Sequence, residues 1–192
     1  MTLLNLEDEI ERYIPFNEQE ERDREQMLEF IRYYNHKSVL SRENLAGHFS
    51  ASAFVVNKER NMMVVVYHNI LGAWTYPGGH ADDVEDLLSV ALREVQEETG
   101  LKARVLDNNI FSIQSVPVPA HFKRGKYVSS HIHLDVVYLM EADETLPLVY
   151  REDESKGVRW IPFEEADGET ILPFSRPLHK KLVMKLARNP YN

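Results

Sequence analysis

Residues 79–101 read GHADDVEDLLSVALREVQEETGL. Val84, Leu88, Ala91, Leu92 and Val95 recur at intervals of three and four, which predicts a helix with one buried face. Asp82 is expected as its N-cap, with Glu85 three residues on to complete a capping box, and Gly100 as the residue that ends it. Glu94, Glu97 and Glu98 crowd the last turns beside the apolar stripe. Like charges at these spacings cost about 0.2–0.5 kcal/mol per pair. The helix dipole adds roughly 0.3–1 kcal/mol against each carboxylate at this end. Departures from local preference of this kind tend to mark functional sites. Clustered carboxylate oxygens suit a hard divalent cation such as Mg2+, which readily shares a site with phosphate. For an acidic helix in isolation the alternative is a solvated end, its glutamates paired with Arg93 and local lysines.

Working outward, SASAFVV and MMVVVYH are rich in β-branched and aromatic residues, and NKERN between them reads as a turn. HIHLDVVYLM reads as a long strand and GVRWIPF as a shorter one, while PFEEA and RPLHKKLVMKLARN look helical. The irregular alternation predicts an α+β fold with a mixed sheet between helices. Toward the N-terminus, Leu6, Ile10, Tyr13 and Ile14 fall at helical spacing until Pro15 interrupts. Met27, Phe30, Ile31 and Tyr34 repeat the pattern in a charged stretch. Residues 1–44 are therefore expected as a helical extension whose apolar face packs on the domain at 45–192 or on another subunit.

Composition narrows the chemistry. The 192 residues contain no cysteine, which excludes disulfides, thiolate nucleophiles and cysteine zinc sites. A reducing cytoplasm is the expected compartment. The acidic start lacks the basic and apolar pattern of a secretory signal, and no apolar run approaches the ~20 residues of a membrane span. A formal net charge of -9 argues against a polymeric nucleic-acid partner. It leaves room for a small anionic substrate neutralised locally by metal.

The Gly79–Leu101 segment resembles the Nudix box of the MutT-like hydrolases. Gly79, Glu85, Arg93, Glu94, Val95, Glu97, Glu98, Gly100 and Leu101 fill every constrained position of that signature. WTYPGG before it also resembles the family's lead-in, and the likeness runs from about His48 onward. The resemblance implies an αβα sandwich with a mixed sheet, and a Mg2+- or Mn2+-dependent attack of water on a diphosphate. It implies Glu94, Glu97 and Glu98 as metal ligands, and Arg93 as the residue that orients a glutamate of the box. Gly78 and Gly79 would let the backbone turn and approach phosphate. A further acidic residue from a distant loop serves many members as ligand or general base. REDESKGVRW offers Glu152, Asp153 and Glu154, of which Glu154 is preferred for its placement before Trp160.

HFKRGKY holds the densest basic spot of the domain. Lys123 and Arg124 are candidates for phosphate contact and Phe122 or Tyr127 for base stacking, against the alternative of an exposed turn. His131 and His133 share one face of a strand, where packing or a substrate hydrogen bond is favoured over zinc because no third ligand follows at a recognisable spacing. The expected substrate is a nucleoside diphosphate linked to another moiety: a nucleoside triphosphate, an oxidised nucleotide or an ADP-ribose-like molecule. Pro117 resembles a feature of the ADP-ribose branch. A non-catalytic nucleotide sensor is the competing function, although it would not require all three glutamates. Isopentenyl diphosphate isomerases share the fold but rely on a cysteine that this chain lacks. A homodimer is a further expectation.

Overall fold

The β-branched runs pair as the sequence suggests. In a computed structural model, which describes residues 6–34, 36–69, 72–123, 125–150, 155–168, 171, 173 and 175–188, β1 (Gly47–Val56) and β2 (Met62–His68) flank the 57–61 turn. The long strand β9 (His131–Glu141) lies parallel to β1, in register from Gly47↔Ile132 to Val56↔Glu141. The other pairings between named strands are antiparallel: β3 (Ala73–Thr75) and β10 (Ser155–Pro162) on β2, β4 (Gly78–His80) on β1, and β5 (Arg104–Val105) and β6 (Ser112–Val118) on β9. The result is one mixed sheet. A short hairpin, β7 (His121–Lys123) with β8 (Lys126–Val128), stands apart from it.

Side chains alternate across a strand, so the sheet has two different faces. Phe49, Ala51, Ala53 and Val55 of β1 and Leu134, Val136, Tyr138 and Met140 of β9 point to one side, where Leu87, Val90, Ala91 and Val95 of α4 (Leu87–Thr99) cover them. Helices α1 (Leu6–Arg12), α2 (Glu18–Tyr34) and α3 (His36–Leu40) join that layer through Ile10, Met27, Ile31 and Leu40. On the other side, Phe54, Val56, Val137 and Leu139 meet Leu182 and Leu186 of α5 (Arg176–Ala187). A short 3-10 turn, Phe163–Glu165, follows β10. The helix α5 covers only the C-terminal halves of β1 and β9. The N-terminal halves of the same face carry polar side chains and floor a cleft.

The N-terminal helices are anchored by charge as well as by apolar contact. Glu20 is wholly buried on α2. Its carboxylate accepts from the Tyr13 hydroxyl at 2.6 Å, the Phe16 amide at 2.7 Å and the Ser112 hydroxyl at 2.7 Å. It also forms ion pairs with Lys181 and Lys185 of α5, each at 3.1 Å. Burial alone would push this carboxyl up, but Lys181, Tyr13, Lys185 and Ser112 together bring it down to about 2.

One local expectation is corrected. The helix of the box begins at Leu87, and its cap is Asp86, which accepts from the Ser89 amide at 3.1 Å. Asp82 and Asp83 sit at φ +49° and +67°, outside the helix. The segment before the cap is tied down elsewhere. The Ala81 amide donates to Phe49, the Asp83 amide donates to Leu40, and the Asp82 carboxylate pairs with Arg42. Glu85 therefore completes no capping box. The fully buried stripe is Leu87, Val90, Ala91, Val95 and Thr99, whereas Val84, Leu88 and Leu92 are half-buried at its margin. Gly100 ends the helix as expected, at φ +74°.

Candidate functional site

Three residues of β4 organise the site, because alternation sends their side chains to opposite faces. Gly79 pairs with Ala51 and faces α4, whereas Gly78 and His80 pair with Ser52 and Ser50 and face the cleft. A Cβ on Gly79 would lie 2.4 Å from the Glu94 carboxyl carbon, so glycine is what lets that carboxylate lie against the strand. A Cβ on Gly78 would run into Ser52 in the same way. Glu98 accepts from the Gly78 amide at 3.0 Å. Arg93 donates to Glu94 at 2.9 Å and lies 3.9 Å from Glu97, which is exposed. Two of the three box carboxylates thus touch the backbone of Gly78 and Gly79, and Arg93 holds one of them in place.

This arrangement fits a hard divalent cation by its donor chemistry: clustered carboxylate oxygens beside a strand kept bare by glycine. Glu94, Glu97 and Glu98 would hold it. They are not drawn into a tight triad. Among the described residues, the one group of three or more acidic or histidine side chains with ligand atoms within 4.8 Å of one another is His48, His80 and His133.

Those histidines belong to the cleft on the other face of β4, a cavity of about 580 Å³. Its floor comes from β1 and β9: His48, Ser50 and Ser52 beside His133 and Asp135. Six of the chain's eight histidines line it. The His48 ring lies at centroid distances of 5.1, 5.1 and 5.0 Å from His80, His131 and His133, stacked on His131 and tilted to the other two. Burial and then the neighbouring rings lower these groups, His48 to about 4 and His133 to about 2. For His80, burial and then the Arg42 guanidinium bring the value to about 3. The Asn44 backbone works against the shift at His48. Asp135 accepts from Ser50, Ser52 and Gln114 at 2.9, 2.8 and 2.9 Å, and from Tyr76 at 3.4 Å. Burial raises its carboxyl to about 6 against those four donors.

Of the residues singled out from sequence, Gly78, Gly79, Pro117, Lys123, Tyr127, His131 and His133 line the cleft. Tyr127 and Phe122 are exposed at the tip of the β7–β8 hairpin, edge to face at 5.5 Å. Arg124 and Glu154 lie outside the described residues. Sequence reasoning missed the Asp135 network and the convergence of His48 and His80 on His133. The pairing of β1 with β9 and β4 creates that convergence, and no linear spacing encodes it. The available signal was the HIH alternation together with a histidine near the start of another strand.

A family model described as the NUDIX domain matches residues 47–185. An RNA pyrophosphohydrolase of Sphingopyxis alaskensis is 30% identical over 117 residues, which cover 58% of this chain and 73% of that protein. Nudix hydrolase 6 of Arabidopsis thaliana is 27% identical over 128 residues, 64% of this chain and 41% of that protein. The asymmetrical bis(5'-nucleosyl)-tetraphosphatase of Rattus norvegicus is 32% identical over 94 residues, 48% of this chain and 58% of that protein. The chain thus spans less than two thirds of the second and third of these relatives. Among solved structures, a C. elegans Ap4A hydrolase binary complex aligns with a TM-score of 0.55 at 18% identity, over 73% of this chain and 98% of that one. A NUDIX family hydrolase from Clostridium perfringens aligns at 0.52 and 19%, over 72% and 97%. The matched span includes the mixed sheet, the box helix with its glycine-cradled carboxylates and nearly all of α5: the chain belongs to the Nudix hydrolase family.

Proposed function

We propose that the chain hydrolyses a P–O bond in the diphosphate of a small nucleotide-like substrate, with Mg2+ or Mn2+ as cofactor. The observation that carries this reading is the contact of Glu94 and Glu98 with Gly78 and Gly79, at the edge of a cleft of substrate size. A divalent ion held by Glu94, Glu97 and Glu98 would neutralise the diphosphate oxygens and supply an activated water. Arg93 orients Glu94 through its 2.9 Å hydrogen bond and keeps the crowded carboxylates from repelling each other freely. The glycines leave the strand bare enough for phosphate to approach. Lys123 offers positive charge from the rim, and exposed Tyr127 offers a ring on which a base can stack. Arg124, its neighbour in sequence, is assigned to the same phosphate contact. Glu154 is our candidate for the general base.

The relatives' names range from RNA ends to dinucleoside polyphosphates. The shared chemistry is a nucleoside diphosphate unit with a variable partner. The acidic balance of this chain favours a small molecule over a polymer. The test is turnover in heavy-oxygen water with a panel of nucleoside triphosphates, dinucleoside polyphosphates and nucleotide sugars, followed by mass spectrometry. We expect label in a phosphate-bearing product. Label confined to a product without phosphate would reject P–O cleavage.

A further inference from the structure

We propose that His48, His80 and His133 form a second metal site, for a transition ion of the Zn2+ class, on the opposite face of β4 from the box carboxylates. The register of the sheet builds it. His48 and His133 are direct partners across the parallel β1–β9 pair, so their side chains leave the same face side by side. His80, paired opposite Ser50, arrives on that face from β4. One ligand atom from each of the three lies within 4.8 Å of the others. A tetrahedral ion with Zn–N bonds of about 2.0–2.1 Å needs separations of roughly 3.3 Å, so modest side-chain adjustment closes the site.

Two further observations favour a metal over simple packing. His48 is only 4% exposed, and neither of its ring nitrogens makes a hydrogen bond of normal geometry, the Asn44 backbone standing outside it. A buried polar ring without partners costs free energy that a bound ion would recover. The surrounding structure also orients a ligand. His131 Nδ1 lies 2.8 Å from the Ser129 carbonyl, which can only accept, so that nitrogen carries the proton. His131 Nε2 then accepts from His133 Nε2–H at 3.2 Å, which leaves His133 Nδ1 as the ligating atom and fixes that ring, as an outer partner orients a ligating imidazole. Nitrogen donors select Zn2+ and its neighbours, whereas Mg2+ prefers the oxygens across the strand.

The test uses the metal-stripped full chain, titrated with ZnCl2 in excess Mg2+ by calorimetry. Visible absorption of the Co2+ form and zinc X-ray absorption report the ligands. We expect one Zn2+ per chain, an intense four-coordinate Co2+ spectrum, and a nitrogen shell at about 2.0–2.1 Å. His48→Gln, His80→Gln and His133→Gln should each weaken binding at least about a hundredfold, more than loss of an outer partner costs. His121→Gln, which alters another histidine of the cleft, and Glu97→Gln, which alters the box, should leave zinc affinity unchanged. Circular dichroism checks that each variant is folded. His80 is only half-buried on a short strand, so His80→Gln is the variant best placed to stay folded. No bound zinc in excess Mg2+, an oxygen-only shell, or binding lost in Glu97→Gln but kept in His80→Gln would overturn the proposal.

Discussion

At the scale of single residues, the box glutamates carry the sharpest prediction. Glu97→Gln and Glu98→Gln should each lower kcat at least about a hundredfold while the protein stays folded, because metal-assisted charge stabilisation is worth several kcal/mol and each 1.36 kcal/mol is tenfold in rate. Steady-state kinetics beside a thermal melt checks this, and full activity in either variant would remove that residue from the ligand set. Gly79→Ala tests the cradle from the other side. Its methyl group would meet the Glu94 carboxylate, so turnover should fall although no charge changes. These residues stand out in the sequence because the carboxylates violate the charge preference of a helix end and, decisively, because they fall at the full spacing of the Nudix box. Asp135 does not. It stands between apolar residues on a strand, and only the fold brings Ser50, Ser52 and Gln114 to it. Asp135→Asn should cost about 1–3 kcal/mol, since an amide nitrogen would face donors and leave some unsatisfied. Denaturant unfolding measures that loss.

At the scale of elements, the start of the box helix separates pattern from structure. The apolar spacing located the helix and its glycine end, but Asp82 and Asp86 are both plausible caps by residue type. Tertiary contacts decide between them: Arg42 occupies Asp82, and the Ser89 amide is left to Asp86. Asp86→Ala should therefore destabilise by about 1 kcal/mol, as loss of a cap does. Asp82→Asn, which keeps a residue type tolerated at its φ of +49°, removes only an exposed ion pair and should cost well under that. Comparing the two melts distinguishes the caps, and equal losses would contradict the assignment. The strands were legible from their β-branched runs. Their order was not, because local residue patterns do not encode which distant strand becomes a neighbour.

At the scale of the whole molecule, Glu20 fastens the N-terminal helices to β6 and α5. Glu20→Ala would strand Lys181 and Lys185 in the interior, and breaking such a buried network costs about 3–5 kcal/mol. Its pH signature follows from the sign of the shift. The carboxyl ionises at about 2 in the folded chain against an ordinary 4.5, so the stability it contributes is complete above about 4.5 and is lost as pH falls toward 2. Acid titration of unfolding should show a shallower slope in that window for Glu20→Gln. Deleting residues 1–44 should produce insoluble or unfolded protein, because it uncovers the core around Phe49 and Leu134 and removes the only acid paired with Lys181 and Lys185 among the described residues. The parallel pairing of β1 with β9 has a kinetic consequence as well. Its partners lie about 85 residues apart in the chain, as Ser50 and Asp135 show. Closing a loop of that length costs about 4 kcal/mol of chain entropy before any contact is gained. The β2–β3 ribbon needs no such closure. We expect pulse-labelled hydrogen exchange during refolding to protect β2 before β9, which makes the cleft a late product of folding.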